Sequence, residues 1–264
     1  MSEFVFPKNW GGPKGGGFSI HDLKTKDDLS DLAIFTRDAC QNCKDRHVNF
    51  SKVNVKITLI ELDGEYKKNF LESINWSSLK KHIDACSNEV QSEESRHLKN
   101  GLSDISSKAP LRMLLLEDFN TEGLTGDDDE DDGNYDLLLN SENRTPTADE
   151  RGGSYGIGKK VLWHVSSIRT VLFSSFPNDE FSRGKGIRIG GKSWLRGHKI
   201  NEINYQYQGL FGKKETKETI DGASFERTYS IWNDNSLAEK LYLNRDGKTT
   251  TGTSALILGL NFNE

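Results

Sequence analysis

Between Asp27 and His47 apolar or small residues recur at intervals of three and four: Leu29, Leu32, Ala33, Thr36, Ala39, Cys40 and Cys43. That spacing predicts a helix with one face turned to a core. The opposite face carries Asp38, Asn42 and Asp45 at i, i+4 and i+7, a line of carboxylate, carboxamide and carboxylate. A solvated helix face would also hold charges. Asn is a poor mid-helix residue, however, because its side chain competes for backbone groups, so the amide at 42 suggests a ligand outside the helix. The pattern then shifts to period two over Val53 to Leu62, a strand with one buried face closed by Asp63-Gly64. Residues 65–106 read as two or more polar helices, with Phe70, Leu71, Ile74, Trp76, Leu79 and Ile83 available for burial. Leu111 to Leu116 is a continuous apolar run, the signature of a strand buried on both faces. Further on, residues 156–168 suggest a helix and 168–174 a strand, and residues 185–191 with Tyr205 and Tyr207 suggest strands or hairpins. Ser254 to Leu260 suggests a last buried strand, introduced by a Thr-rich turn ending in Gly252-Thr253. Residues 1–26, with five glycines and two prolines, suit an irregular arm, either a strap for a partner or a loose terminus.

Two stretches carry candidate chemistry. The apolar run delivers Asp118 to a strand end beside the turn residues Gly123 and Gly126, where a carboxylate can accept a hydrogen bond from a buried amine such as that of adenine. Arg151 to Lys160 contains Gly153, Tyr155, Gly156, Ile157, Gly158, Lys159 and Lys160, a glycine-rich turn opening a helix. Glycines let an anion approach the backbone, and the first helical N–H groups lack intrahelical acceptors, so a triphosphate fits there as well as a plain structural turn does. Other motifs count for less. Gly186 to Ser193 satisfies the phosphate-loop spacing, but its interior alternates like a strand and no later strand ends in the required Asp. The acidic run Asp127 to Asp132 fails as a calcium loop because the twelfth position is Leu139, and reads instead as a solvated, mobile segment. His82 and His97 read as surface or cap residues, and Lys213, Lys214 and Lys217 as a solvated loop.

Composition narrows the classes. At 264 residues one large domain is favoured, and a net charge of −5 argues against a chain that coats nucleic acid alone. No apolar run approaches the ~20 residues of a membrane span and the first residues do not resemble a secretory signal, so a soluble cytoplasmic protein without membrane association is expected. Cys40, Cys43 and Cys86 suit reduced thiols; Cys40-x-x-Cys43 has redox spacing but lies in a helical pattern, which favours packing.

Taken in order, these pieces resemble the GHKL ATPase superfamily, which includes DNA gyrase, the large heat-shock chaperone, histidine kinases, MutL and MORC proteins. The resemblance covers roughly residues 27–260: an N-box at Asp38 to Asp45, a first glycine box at Asp118, Gly123 and Gly126, a second at Gly153, Gly156 and Gly158, and a final Gly252-Thr253. RGGSYGIGK with EDFNTEGLTG looks closest to bacterial MORC-like ATPases found with phage-defence systems. The resemblance implies an α+β, two-layer sandwich of the Bergerat type, with a mixed, mainly antiparallel sheet and helices on one face. An arm (1–26) would precede an ATP-binding domain (27–264) with a lid at about 123–155. It implies ATP and Mg²⁺ as ligands, Asn42 holding the metal, Asp38 as general base, Asp118 reading adenine with support from the Thr253 hydroxyl or a water, and backbone N–H groups from Gly156 to Lys159 on the phosphates. Lid closure would promote an ATP-dependent homodimer in a DNA-directed or defence machine, with only indirect DNA association. Two departures weaken these roles: Asp38 is one methylene shorter than the usual Glu, and Asn120-Thr121-Glu122 spreads the first glycine box. The chain also ends at the Gly-Thr strand, so a transducer lysine is expected from a partner protein or further domain. A non-hydrolysing nucleotide module and a histidine-kinase-type domain remain alternatives; covalent transfer from labelled ATP to protein would mark the kinase.

Overall fold

The computed structural model describes residues 2–9, 30–48, 52–89, 92–129, 133–139, 157–218, 224–245 and 250–260. The elements run β1 (Ser2–Val5), α1 (Asp31–Lys44), β2 (Asn54–Leu62), α2 (Gly64–Ser73), α3 (Trp76–Glu89), α4 (Glu93–Ser106), β3 (Leu111–Phe119), α5 (Asn134–Leu139), α6 (Ile157–His164) and β4 (Thr170–Phe176). They continue through β5 (Arg188–Trp194), β6 (His198–Ile200), β7 (Ile203–Tyr205), β8 (Gln208–Glu218), β9 (Ser224–Tyr229), β10 (Ile231–Trp232), α7 (Asn235–Lys240) and β11 (Gly252–Leu258). Nine strands form one sheet in the order β1-β8-β5-β4-β11-β3-β2, with β10 on β5 and β9 on β8; β6 and β7 pair separately. Among the described residues every pairing is antiparallel.

The sheet has helices on both faces, where one face was expected. Alternation along the central strands explains this. Met113 and Leu115 of β3 and Leu256 and Leu258 of β11 join Phe70, Leu79, Ile83, Leu98 and Leu102 of α2, α3 and α4 in one core. Their neighbours Leu114, Leu116, Ala255 and Ile257 join Ile34, Phe35 and Ala39 of α1 and Val161 and Trp163 of α6 in the other. A strand apolar at every position has two faces to cover, and each draws its own helices. The arrangement is a mixed α/β fold around a large antiparallel sheet.

Local chemistry sets the ends of α1. The Ser30 hydroxyl accepts from the Ala33 N–H at 3.3 Å, Asp31 lies in the first turn and Lys44 in the last, each placed to favour the helix dipole.

Four expectations are corrected. Residues 2–5 are a strand in the sheet and not part of an irregular arm, because Phe4, Val5 and Phe6 are all buried and β1 pairs with β8. On β2, which is an edge strand, Val55, Ile57 and Leu59 are exposed, so the predicted buried face stands largely open. Lys213, Lys214 and Lys217 belong to β8, where Lys214 pairs with Glu226 at 2.7 Å, and not to a loop. His82 is buried and His97 part-buried, neither a surface residue. His82 stacks on Phe6 and its Nδ1 lies 2.8 Å from Nε2 of the fully buried His198; Nε2 of His97 lies 3.1 Å from the Ser166 carbonyl oxygen.

Burial, then the neighbouring His198 charge, pushes His82 down to about 3; burial and the Arg169 charge push His97 down to about 4. In the unfolded chain both titrate near 6.5. Their neutral forms therefore favour the fold fully above about pH 6.5, and that contribution is lost as pH falls toward 4, when the unfolded state takes up protons that the fold refuses. Urea unfolding at pH 5 should give a stability about 4 kcal/mol below that at pH 7, roughly 2 kcal/mol for each histidine. His82→Phe should remove about half of the slope.

Candidate functional site

Asp118 is the centre of the candidate site. It stands near the C-terminal end of β3, facing the α1 side of the sheet with Leu114 and Leu116. Its Oδ1 accepts the Thr253 N–H at 2.9 Å and the Thr121 hydroxyl, and the Cys43 side chain of α1 lies close enough to interact with it electrostatically. The bonds from the Thr253 nitrogen and the Thr121 oxygen both end on Oδ1, which leaves Oδ2 outside that pair. Burial raises the Asp118 carboxyl above the usual range, outweighing the hydrogen bonds from Thr121 and Thr253 and the Arg245 charge.

The support differs in detail from the expected one. The Thr253 backbone, and not its hydroxyl, holds the carboxylate, and the hydroxyl comes from Thr121. The reason is the approach of β11: Gly252 has φ +141°, and a Cβ there would press on the Asp118 carbonyl oxygen and lie 2.8 Å from Oδ1 and 2.7 Å from Nη2 of Arg245. Only glycine lets the strand start close enough for the next N–H to reach Asp118. Gly252→Ala should cost ~3 kcal/mol in urea unfolding, from backbone strain and displacement of Asp118 together.

Gly123 and Gly126 have positive φ, +71° and +88°, but they shape a packed loop. A Cβ on Gly123 would meet Ser175 Oγ at 2.6 Å, the hydroxyl that accepts the Leu124 N–H and donates to the Gly252 carbonyl oxygen. The Gly126 N–H donates to Asp179 at 2.7 Å, so it is already used and does not suit the nucleotide contact expected of it. Arg188, fully buried on β5, donates to the carbonyl oxygens of Leu124 and Gly126 and to Asp128 at 2.7 Å. Asp128 also accepts from the Ser230 N–H and hydroxyl, and Asp129 pairs with Arg227. Asp128 is anchored, contrary to the solvated segment expected, because the buried Arg188 faces it, while Asp129 stays exposed beside a part-exposed Arg227. In the described part of the proposed lid, residues 123–129 and 133–139, Tyr135 and Leu139 are buried; this part is packed onto the sheet.

The two helices on this face run in opposite directions. The C-terminal end of α1 meets the C-terminal end of β3: the Val48 N–H donates to Asn120 and the Glu122 N–H to Arg46. The C-terminal end of α6 meets the opposite end, where Ser166 bridges Leu260 and the Leu260 N–H donates to Arg112. His164 of α6 and Asp31 of α1 approach to 3.4 Å. At ~1.5 Å per residue, Asp38 and Ile157 each lie about 10 Å along their helices from that contact, so the start of α6 stands beside the second half of α1.

The remaining expected residues fall as follows. Asn42 is exposed; Asp38 is part-buried and accepts from Arg37 Nε at 2.8 Å; Asp45 accepts from Gln41 at 2.7 Å. Ile157, Gly158 and Lys159 form the first turn of α6, and Lys160 Nζ lies 5.5 Å from the centre of the Trp194 ring. Gly153, Tyr155 and Gly156 lie outside the described residues. Cys43, Thr121, Arg245 and Gly252 were not singled out as site residues from sequence; the Gly252-Thr253 pair was the nearest signal. The phosphate-loop spacing at Gly186 to Ser193 is resolved as strand: Gly190 to Ser193 are inside β5, and Lys192 is buried 3.9 Å from the centre of the Trp194 ring.

Among the described residues no three His, Cys, Asp or Glu side chains gather into a metal site, and no helix is long and apolar enough to cross a membrane. No protein-family model, curated protein or solved structure matches the chain.

Proposed function

We propose that this protein binds Mg-ATP between α1, the Asp118 end of β3 and the start of α6, and hydrolyses it slowly as a GHKL-type module. The observation that carries the reading is the junction at Asp118 of segments distant along the chain: the Thr253 N–H of β11 and the Thr121 hydroxyl hold one carboxyl on the face shared with α1 and α6, with Cys43 of α1 nearby. Asp118 would accept from the adenine amine through Oδ2. The first N–H groups of α6, which have no acceptor within the helix, would meet the phosphates. Asn42 supplies an exposed oxygen donor of the type Mg²⁺ takes when most of its shell comes from phosphates and water, and the ion would offset charge developing on the phosphates. Asp38 would orient the attacking water and take its proton. Lid closure, a homodimer, a partner carrying a transducer lysine and a place in a cytoplasmic DNA-directed or defence machine belong to the same proposal.

Calorimetry with Mg-ATP tests it. Asn42→Ala should weaken binding about 100-fold, near 2.7 kcal/mol, and unchanged affinity would count against the site. Asp38→Ala should retain binding and lose turnover. A second reading, nucleotide held without hydrolysis, is favoured by the Arg37 bond to the short Asp38. Single-turnover rates equal in wild type and Asp38→Ala would select it.

A further inference from the structure

β2 is the last strand at one end of the nine-stranded sheet, and among the described residues its outer backbone edge pairs with no strand. It runs for nine residues, in unbroken register with β3 from Asn54 against Phe119 to Leu62 against Leu111. Sheets guard such an edge with a proline, a bulge or an inward-pointing charge. β2 has neither proline nor bulge. Val55, Ile57 and Leu59 lie opposite Asp118, Leu116 and Leu114, so all three stand on the α1 face, where they are 37%, 46% and 56% exposed. An apolar row along a long open edge is a template for another strand. We propose that β2 pairs antiparallel with β2 of a second copy of this chain, across a two-fold axis at Ile57, giving a homodimer with one continuous sheet.

Charge and side-chain pattern select this partner and this register. Both charges on β2 are matched within the protomer: Lys56 lies 3.4 Å from Glu117, and Glu61 lies 2.8 Å from Arg112. The edge therefore meets its own copy with little net repulsion. A two-fold axis normal to the sheet has to pass through a residue if opposite side chains are to share a face. At Ile57 it sets Val55 against Leu59 of the second copy, Ile57 against Ile57 and Leu59 against Val55, while Lys56 meets Thr58. Moved to Lys56, the axis opposes two lysines; moved to Thr58 or Leu59, it sets Glu61 against Val55 or Ile57. Apolar and β-branched pairs directly opposite one another stabilise a sheet, and like charges there destabilise it. Of these four axes in the middle of the strand, the one at Ile57 keeps charge out of the apolar row.

A head-to-tail stack fits the molecule less well. At the other end of the strand order stands β1, four residues long, with Phe4 and Val5 already buried. It cannot match a nine-residue edge, and β2 on β1 of the next copy would propagate as a filament. A symmetric β2 pair uses up both open edges and closes. The seam needs no nucleotide, so it stands apart from the nucleotide reading above.

Sedimentation equilibrium of the full chain without nucleotide, from about 1 to 100 μM, reads the association directly. Wild type should be dimeric at the upper end, and Ile57→Lys, which brings two lysines together at the axis, should weaken the dimer at least about 10-fold. Because Ile57 is half exposed in the protomer, the variant should keep the wild-type urea midpoint in dilute solution. Cross-linking maps the register independently. In a Cys40→Ser background, which removes the exposed native thiol, Ile57→Cys should form a disulfide-linked dimer with oxidised glutathione. Directly opposed residues hold their Cβ atoms about 4.5–5.5 Å apart, close to what a disulfide needs. Val55→Cys should stay unlinked, since its opposite residue is Leu59. A chain monomeric across the whole range, a dimer that Ile57→Lys leaves unchanged, or equal cross-linking at 55 and 57 would each overturn the seam. Repeating the measurement with Mg-ATP separates the two readings. A dimer that forms only with Mg-ATP and ignores Ile57→Lys supports the lid-coupled homodimer and overturns the seam. A nucleotide-free dimer broken by Ile57→Lys, in a chain that binds no ATP by calorimetry, supports the seam and overturns the nucleotide site.

Discussion

Asp118→Asn is expected to weaken Mg-ATP binding by about 100-fold or more, near 2.7 kcal/mol, while leaving the fold as stable as wild type or more so. The asymmetry comes from the two oxygens. Oδ1 receives the Thr253 N–H and the Thr121 hydroxyl, and an Asn carbonyl can take its place. The amide nitrogen then occupies the position of Oδ2 and meets an adenine amine as donor against donor. Stability should move the other way. The Asp118 carboxyl is raised in the fold, mainly by burial, so its contribution favours folding only below the unfolded carboxyl range and is lost as pH rises through the folded value. Above the unfolded carboxyl range the raised carboxyl is therefore a cost that Asn removes. Thermal melts of the two proteins at pH 7, beside calorimetry, check both halves; a variant that lost stability and binding together would mark Asp118 as purely structural.

Arg188→Leu should destabilise the protein by about 3–5 kcal/mol in urea unfolding. The guanidinium is fully buried, bonds Ser230 Oγ at 3.0 Å, Leu124 O at 2.9 Å and Asp128 at 2.7 Å, and stacks 3.6 Å from the centre of the Tyr135 ring. Removing it leaves a part-buried carboxylate and two carbonyl oxygens with fewer donors, and the cost of stranding those groups exceeds the apolar gain of Leu. The loss should be centred on the loop after β3. Limited proteolysis should therefore cut between Glu122 and Asp129 before the rest of the chain opens. Asp128→Leu added to Arg188→Leu should recover part of the stability, since the uncompensated charge is then gone.

Both predictions turn on partners that sequence spacing does not reveal. The continuous apolar run in β3 and the three-four repeat in α1 announce their elements because periodicity is a local property of the chain. Asp118 was legible as a carboxylate at a strand end, and Gly252-Thr253 as a turn before a strand. That Thr253 would meet Asp118 through its N–H, with Gly252 necessary for the approach, depends on β3 and β11 being neighbours. Likewise His82 and His97 looked solvated because polar residues surround them in the chain, yet His82 packs on Phe6 and His198 from two distant segments. The acidic run reads as a solvated block until Arg188, Arg227 and Ser230 are brought beside it.

The amino-acid sequence by itself determined the helix and strand periods, the double-faced burial of β3 and the positions of the amide at 42 and the carboxyl at 118, because each follows from residue type and interval. Tertiary structure alone decided that both faces of the sheet carry helices and which donors meet Oδ1 of Asp118. Hydrogen bonding and burial are pairwise properties of groups remote along the chain, so they exist only once the sheet has set its strand order.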